Sequence, residues 1–147
     1  MKTPSTLQKS PYDCRILIVD DFDLNREMIV DALHQSGYSS VEEAADGREA
    51  LEKFQSGHHD LVITDVMMPH MDGMELLDRL HEVRAGTPII LVTGQPEVDA
   101  GVSAIKRGAV DYIRKPFDIG DLLYKVEVCL RERQLLVEGE RQSAVAE

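Results

Sequence analysis

The chain has 147 residues, enough for one domain with a sizeable core, and 43% apolar beside 29% charged residues argues against disorder. A formal net charge of −11 excludes direct nucleic-acid binding as the expected class, because phosphate contacts need a basic face. There is no run of roughly eighteen apolar residues to span a membrane, no signal-peptide core in the polar start, and no metal-ligand spacing for Cys14 and Cys129, so a soluble protein of the reducing cytoplasm is expected.

Residues 1–13 read as a flexible lead-in, with Pro4 and Pro11 and little apolar content. Arg15–Asp20 (β1) is an apolar run too short for a helix, which predicts a buried strand. Leu24–Gln35 (α1) sets Leu24, Met28 and Ala32, and also Ile29 and Leu33, at helical spacing, and Gly37 stops it. Tyr38–Ala44 (β2) is a weaker strand. Asp46-Gly47 opens α2, which carries Ala50, Leu51 and Phe54 and ends near Gly57. Asp60–Asp65 (β3) is flanked by turn signals and apolar like a central strand. Asp72–Arg84 (α3) places Leu76, Leu77, Leu80 and Val83 on its inner side, and Pro88–Thr93 is β4.

Glu97–Arg107 (α4) has Val98, Val102 and Ile105 as its apolar stripe, weakened by Ser103 and by Gly101, the glycine at a cost of about 1 kcal/mol relative to Ala. Ala109–Arg114 is β5, and α5 runs from Phe117 to near Glu138, with Gly139 as its expected end. Leu123, Val126, Leu130 and Val137 recur at spacings of three, four and seven, so the end of α5 is either a short coiled coil or a surface helix with a frayed tail. The alternation sums to (βα)5, a doubly wound α/β fold with a parallel sheet, helices on both faces and right-handed crossovers.

Ligands of such sheets sit at the carboxyl ends of the strands. Asp20-Asp21 follows β1, Asp65 closes β3, Thr93 closes β4 and Lys115 follows β5. Carboxylates brought that close repel one another and need a cation to stay ionised at neutral pH. A hard divalent ion, Mg²⁺ or Mn²⁺, answers that need with one or two protein carboxylates, waters and a phosphate oxygen. Asp65 is then placed to attack phosphorus and form an aspartyl-phosphate. Transfer of that kind depends on positioning and on neutralising the equatorial oxygens, one by the metal, one by Lys115 and one by the Thr93 hydroxyl.

These residues resemble the receiver domain of two-component response regulators. The resemblance runs from Arg15 to Leu130 and rests on Asp20-Asp21 after β1, on Asp65-Val66-Met67-Met68-Pro69-His70-Met71-Asp72-Gly73 after β3, on Thr93-Gly94 after β4, and on Asp111-Tyr112-Ile113-Arg114-Lys115-Pro116-Phe117 around β5. It implies a flavodoxin-like fold with strand order 2-1-3-4-5, a receiver domain over 14–130, and an extension of α5 with its tail over 131–147. That extension is either the end of a domain acting alone or a linker to an output module. It also implies that Asp65 accepts a phosphoryl group from a sensor histidine kinase or phosphotransfer protein. Metal contacts would come from Asp21, Asp65 and the Met67 carbonyl, with Asp20 assisting through water. Lys115 would pair with the phosphoryl group, the Lys115–Pro116 bond would be cis, and Met67 and Gln95 would tune the lifetime of the phosphorylated state.

Thr93 and Tyr112 would form the switch pair, Tyr112 turning inward when Thr93 is drawn to the phosphoryl oxygen. The response would be read by a downstream protein or a second copy of the chain on the α4-β5-α5 face. Moving such a switch from 1:99 to 99:1 takes about 5.5 kcal/mol, whereas one charge-assisted hydrogen bond supplies ~1.5–3 kcal/mol. A shifted population is therefore expected, unless a partner contributes the rest.

Alone, Asp20-Asp21 reads as a solvated helix cap, Thr93 as a cap before Gln95-Pro96, and Tyr112 as plain packing; their register with Asp65 and Lys115 makes them a site. Met67, Met68 and Met71 read as loop packing, His58-His59 and His70 as surface residues, and Gly47, Gly73 and Gly94 as backbone devices. A haloacid-dehalogenase-type phosphatase would need a second Asp where Met67 stands. A flavodoxin-like nucleotide binder would need glycine rather than the acidic Asp21-Phe22-Asp23 in its first loop. A pseudo-receiver would not keep the acidic pair, Asp65, Thr93 and Lys115 together. The expectation is a signalling switch that catalyses only its own phosphorylation and dephosphorylation.

Overall fold

The structure, a computed structural model, describes residues 10–94 and 105–146, with side chains through Arg133. Five parallel strands, β1 Arg15–Val19, β2 Ser40–Ala44, β3 Leu61–Asp65, β4 Ile89–Thr93 and β5 Asp111–Arg114, form one sheet in the order β2-β1-β3-β4-β5. The helices are α1 Asp23–Gln35, α2 Gly47–Gly57, α3 Gly73–Val83 and α5 Ile119–Ala146. Of predicted α4 only Ile105–Arg107 fall among the described residues, and Gln95 lies outside them.

Side chains on a strand point alternately to the two faces, so an apolar run buried throughout must be covered on both. Ile16, Ile18, Leu61, Ile63, Ile90 and Val92 pack against Ile29, Val30 and Leu33 of α1 and against Leu122, Val126 and Leu130 of α5. Leu17, Val19, Val62, Ile89 and Leu91 meet Ala50 and Phe54 of α2 and Leu76, Leu77 and Leu80 of α3 on the other face. The fold is the doubly wound flavodoxin-like one the sequence predicts. Among the described residues no helix is long and apolar enough to cross a membrane.

Helix ends follow local chemistry. Asp46 and Asp72 cap α2 and α3 by accepting from the N–H of Glu49 and Glu75, both at 2.8 Å. α1 ends where Gly37 takes φ +105°, which only glycine adopts cheaply, and Tyr38 N–H then donates to Leu33 O at 3.0 Å.

Several expectations need correction. On α1 the buried stripe is Ile29, Val30 and Leu33, while Leu24 and Met28 are 67% and 47% exposed, because the sheet lies on the other side of the helix. Val83, at the last turn of α3, is exposed rather than inward. The stretch read as a lead-in ends in a 3-10 turn, Pro11–Asp13, whose Tyr12 ring lies 5.1 Å from that of Tyr38. α5 continues through Gly139 to Ala146; one helical glycine costs only about 1 kcal/mol, too little by itself to end a helix. His59 is buried at 1% exposure, not on the surface: it stacks on Phe54, and its Nε2 lies 2.6 Å from Glu42 Oε1.

Candidate functional site

The carboxyl edge of the sheet is built by the ends of four strands. Past β1 the chain stays tied to β2, with Asp20 N–H donating to Ala44 O at 3.2 Å, and then turns sharply as Asp20 Oδ1 accepts from Phe22 N–H at 2.9 Å. Asp65 ends β3 and its Oδ1 accepts from Met67 N–H at 3.2 Å. Lys115 N–H donates to Thr93 O at 2.7 Å, joining the ends of β4 and β5, and the Lys115–Pro116 bond is cis. α3 begins against this edge, with Gly73 N–H donating to Val66 O at 2.8 Å.

Carboxylate oxygens of Asp20, Asp21 and Asp65 all lie within 4.8 Å of one another. Asp20 and Asp65 are buried and Asp21 is exposed at the rim. The Lys115 ammonium reaches into the cluster, 2.9 Å from Asp65 Oδ2 and 3.9 Å from Asp20 Oδ2. Burial pushes the Asp20 carboxyl above the usual carboxylate range, and Asp65 and Asp21 push it the same way; the hydrogen bond from Phe22 N–H and the charge of Lys115 only partly oppose them. A cluster with that excess of negative charge and hard oxygen donors suits a small divalent cation.

Thr93 is buried at the end of β4, one residue past the Asp65–Val92 pair of the β3–β4 register. Tyr112 lies on β5, half-buried and packed against the core under α2 and α3. Met67 is 57% exposed beside Asp65, while Met68 is buried in the core. Asp20, Asp21, Asp65 and Lys115 are thus brought together, with Thr93 and Met67 adjoining.

Sequence reasoning missed one residue here. Arg26 of α1 donates from Nη1 to Asp20 O at 2.6 Å, from Nε to Glu43 Oε1 at 3.0 Å and from Nη2 to Asp23 Oδ1 at 2.7 Å. Only the spacing of Asp23 and Arg26, three apart on a helix, signalled part of this in the sequence.

The family model for the response regulator receiver domain matches residues 16–127. The chain belongs to the response regulator receiver family. This receiver domain is 42% identical over 117 residues to response regulator MprA of Mycolicibacterium vanbaalenii, covering 80% of the chain and 50% of MprA. It is 41% identical over 117 residues to regulatory protein AtoC of Escherichia coli, covering 80% of the chain and 25% of AtoC. The chain therefore spans half or less of the length of these relatives. Among solved structures, the CheY-like receiver domain protein of Methanospirillum hungatei superimposes with a TM-score of 0.78 at 37% identity, covering 83% of this chain and 97% of that one. A receiver domain protein of Clostridium thermocellum gives a TM-score of 0.79 at 30% identity, covering 84% and 98%. Receiver domains are the phosphoacceptor modules of two-component signalling rather than enzymes of metabolism.

Proposed function

We propose that Asp65 accepts a phosphoryl group from a phosphohistidine of a sensor kinase or phosphotransfer protein, and that the phosphorylated domain changes its binding to a downstream partner. The observation that carries this reading is the convergence of Asp20, Asp21 and Asp65 within 4.8 Å, with Lys115 at 2.9 Å from Asp65. In the transfer a new bond forms between an Asp65 carboxylate oxygen and phosphorus. The bond from phosphorus to the imidazole nitrogen breaks, and its electron pair stays on the departing imidazole.

Asp20, Asp21 and Asp65 would hold Mg²⁺ or Mn²⁺, together with the carbonyl of Met67, whose N–H already bonds Asp65. A bound divalent ion supplies charge neutralisation for a phosphoryl oxygen. Lys115 pairs with a second oxygen as its hold on Asp65 is exchanged for the phosphoryl group, and the Thr93 hydroxyl donates to a third. Thr93 and Tyr112 then act as the switch pair, and the α4-β5-α5 face carries the signal to a partner or a second copy. Met67 and Gln95 set how long the acyl phosphate survives water. Autodephosphorylation is its only turnover chemistry.

The kinase would dock on the loop after β1 and on α1, where Phe22, Leu24 and Met28 are at least 47% exposed, as is Met67 two residues from Asp65. The similarity to MprA and AtoC supports a cytoplasmic signalling protein with an output module, and residues 131–147 would serve as its linker; the acidic receiver itself does not engage nucleic acid.

Incubation with acetyl phosphate and Mg²⁺, followed by intact mass, tests the reading. A single phosphoryl adduct is expected, dependent on the metal and lost in Asp65→Asn. Full labelling of that variant would place the acceptor elsewhere.

A further inference from the structure

We propose that Arg26 is a positioning residue for the acidic cluster: by holding the Asp20 carbonyl against β2, it sets where the Asp21 carboxylate stands. The inference rests on the reading of Asp20, Asp21 and Asp65 as the metal-holding group.

Among the described residues no hydrogen bond or ion pair holds the exposed Asp21 side chain, so the point from which its carboxylate reaches the cluster is set by the main chain alone. The peptide unit entering Asp21 carries the Asp20 carbonyl, and Arg26 Nη1 donates to that oxygen at 2.6 Å. Asp20 N–H and Oδ1 fix the residue from the other side, through Ala44 O and Phe22 N–H. Rotation of the peptide between Asp20 and Asp21 would swing the Asp21 carboxylate away from its neighbours.

Arg26 can act as a bracket because its guanidinium is planar and each of its three nitrogens donates a hydrogen bond. Its side chain is 13% exposed and ties together the loop after β1, the first turn of α1 through Asp23, and β2 through Glu43. The β2 end of the bracket is itself fixed: Lys53 of α2 donates to the Glu43 carbonyl, and Glu49 accepts from Ala45 N–H at 2.8 Å. An exposed surface pair would contribute little, but a guanidinium fork only 13% exposed and joining three elements holds a loop.

The charge of Arg26 is matched by Asp23 and Glu43, so its effect on the cluster is geometric, whereas Lys115 supplies the charge. The two roles separate experimentally. Keeping the charge without the fork, as in Arg26→Lys, preserves an electrostatic contribution and loses a geometric one.

Mg²⁺ titration calorimetry on wild type, Arg26→Gln, Arg26→Lys, Asp21→Asn and the surface control Arg79→Gln decides the matter. Both Arg26 variants are expected to weaken Mg²⁺ binding about tenfold, as loss of an outer partner of a metal ligand typically does, while Arg79→Gln binds as wild type. A Kd within twofold of wild type in a folded Arg26 variant overturns the proposal, even if its Tm falls, because that would mark a purely structural arginine. If Arg26→Gln does not fold, Arg26→Lys is judged by the same threshold. Loss of binding in Asp21→Asn with wild-type binding in the Arg26 variants removes the bracket and leaves the metal site. Unchanged binding in Asp21→Asn removes the metal-site reading itself.

Discussion

A β-carbon at Gly73 would stand 2.4 Å from the Asp65 carbonyl oxygen and 2.8 Å from Val66 Cα. The start of α3 thus rests directly on the backbone that carries the phosphoacceptor. Neither contact is a flexible side-chain tip, so any side chain there must push the helix or Asp65 itself. For Gly73→Ala we expect a loss of about 1–3 kcal/mol, the range for overpacking a well-filled site. Labelling by acetyl phosphate should slow as well. Urea melts with a parallel time course check both, and wild-type values in each would show that the edge yields freely.

Removing the metal exposes what the cluster costs. Asp20 is buried beside two further carboxylates, and its carboxyl is pushed above the ordinary range chiefly by that burial. Asp20→Asn keeps an oxygen for Phe22 N–H and deletes the buried charge. In EDTA at pH 7.5 it should melt higher than wild type, by about 1 kcal/mol in stability, and in saturating Mg²⁺ the order should reverse. A lower Tm in EDTA would mean that Asp20 is stabilising when ionised.

His59 gives the fold an acid sensitivity away from this edge. Burial holds its pKa below the ordinary value, outweighing Glu42, and its Nδ1 has no hydrogen-bond partner. The native state therefore binds fewer protons at this ring than the unfolded chain does. Its contribution is fully present above the unfolded pKa of about 6.5 and is lost as pH falls from there towards the lower folded value. His59→Phe, which keeps the stacking on Phe54, should flatten the stability profile between pH 7 and 5. Unfolding by urea at several pH values measures it, and parallel wild-type and variant profiles would exclude His59 as the source.

Kinase and small donor should respond differently to the exposed apolar side chains of α1. Leu24, 67% exposed, contributes nothing to the core and lies one helical turn before Met28. Leu24→Asp should slow transfer from the cognate kinase by tenfold or more and leave acetyl phosphate labelling unchanged. Equal slowing with both donors would place the effect in the site rather than in docking.

The strands and the cluster were legible in the sequence for one reason: central parallel strands are apolar on both faces, so a carboxylate that ends such a run marks the sheet edge. Asp20, Asp65 and Lys115 announced themselves in this way. Residues whose meaning depends on a distant partner did not. His59 looks like half of a polar pair until β2 brings Glu42 to it across 17 positions. Leu24 and Ile29 belong to overlapping helical stripes, and only the direction of the sheet selects between them. Beyond its spacing from Asp23, Arg26 gave no signal, because its acceptor at the site is a backbone carbonyl, which no side-chain pattern reports.

α5 has a mechanical meaning of its own. Arg133 donates to Gly86 O at 3.3 Å and lies 3.8 Å from Asp60, pinning the helix to the base of the sheet. From that pivot the rod continues to Ala146, a span of about 20 Å at ~1.5 Å per residue. A tilt of roughly 3° at the pivot moves the far tip by about 1 Å over such a span, so a small rearrangement within the domain is amplified by leverage at whatever the rod meets.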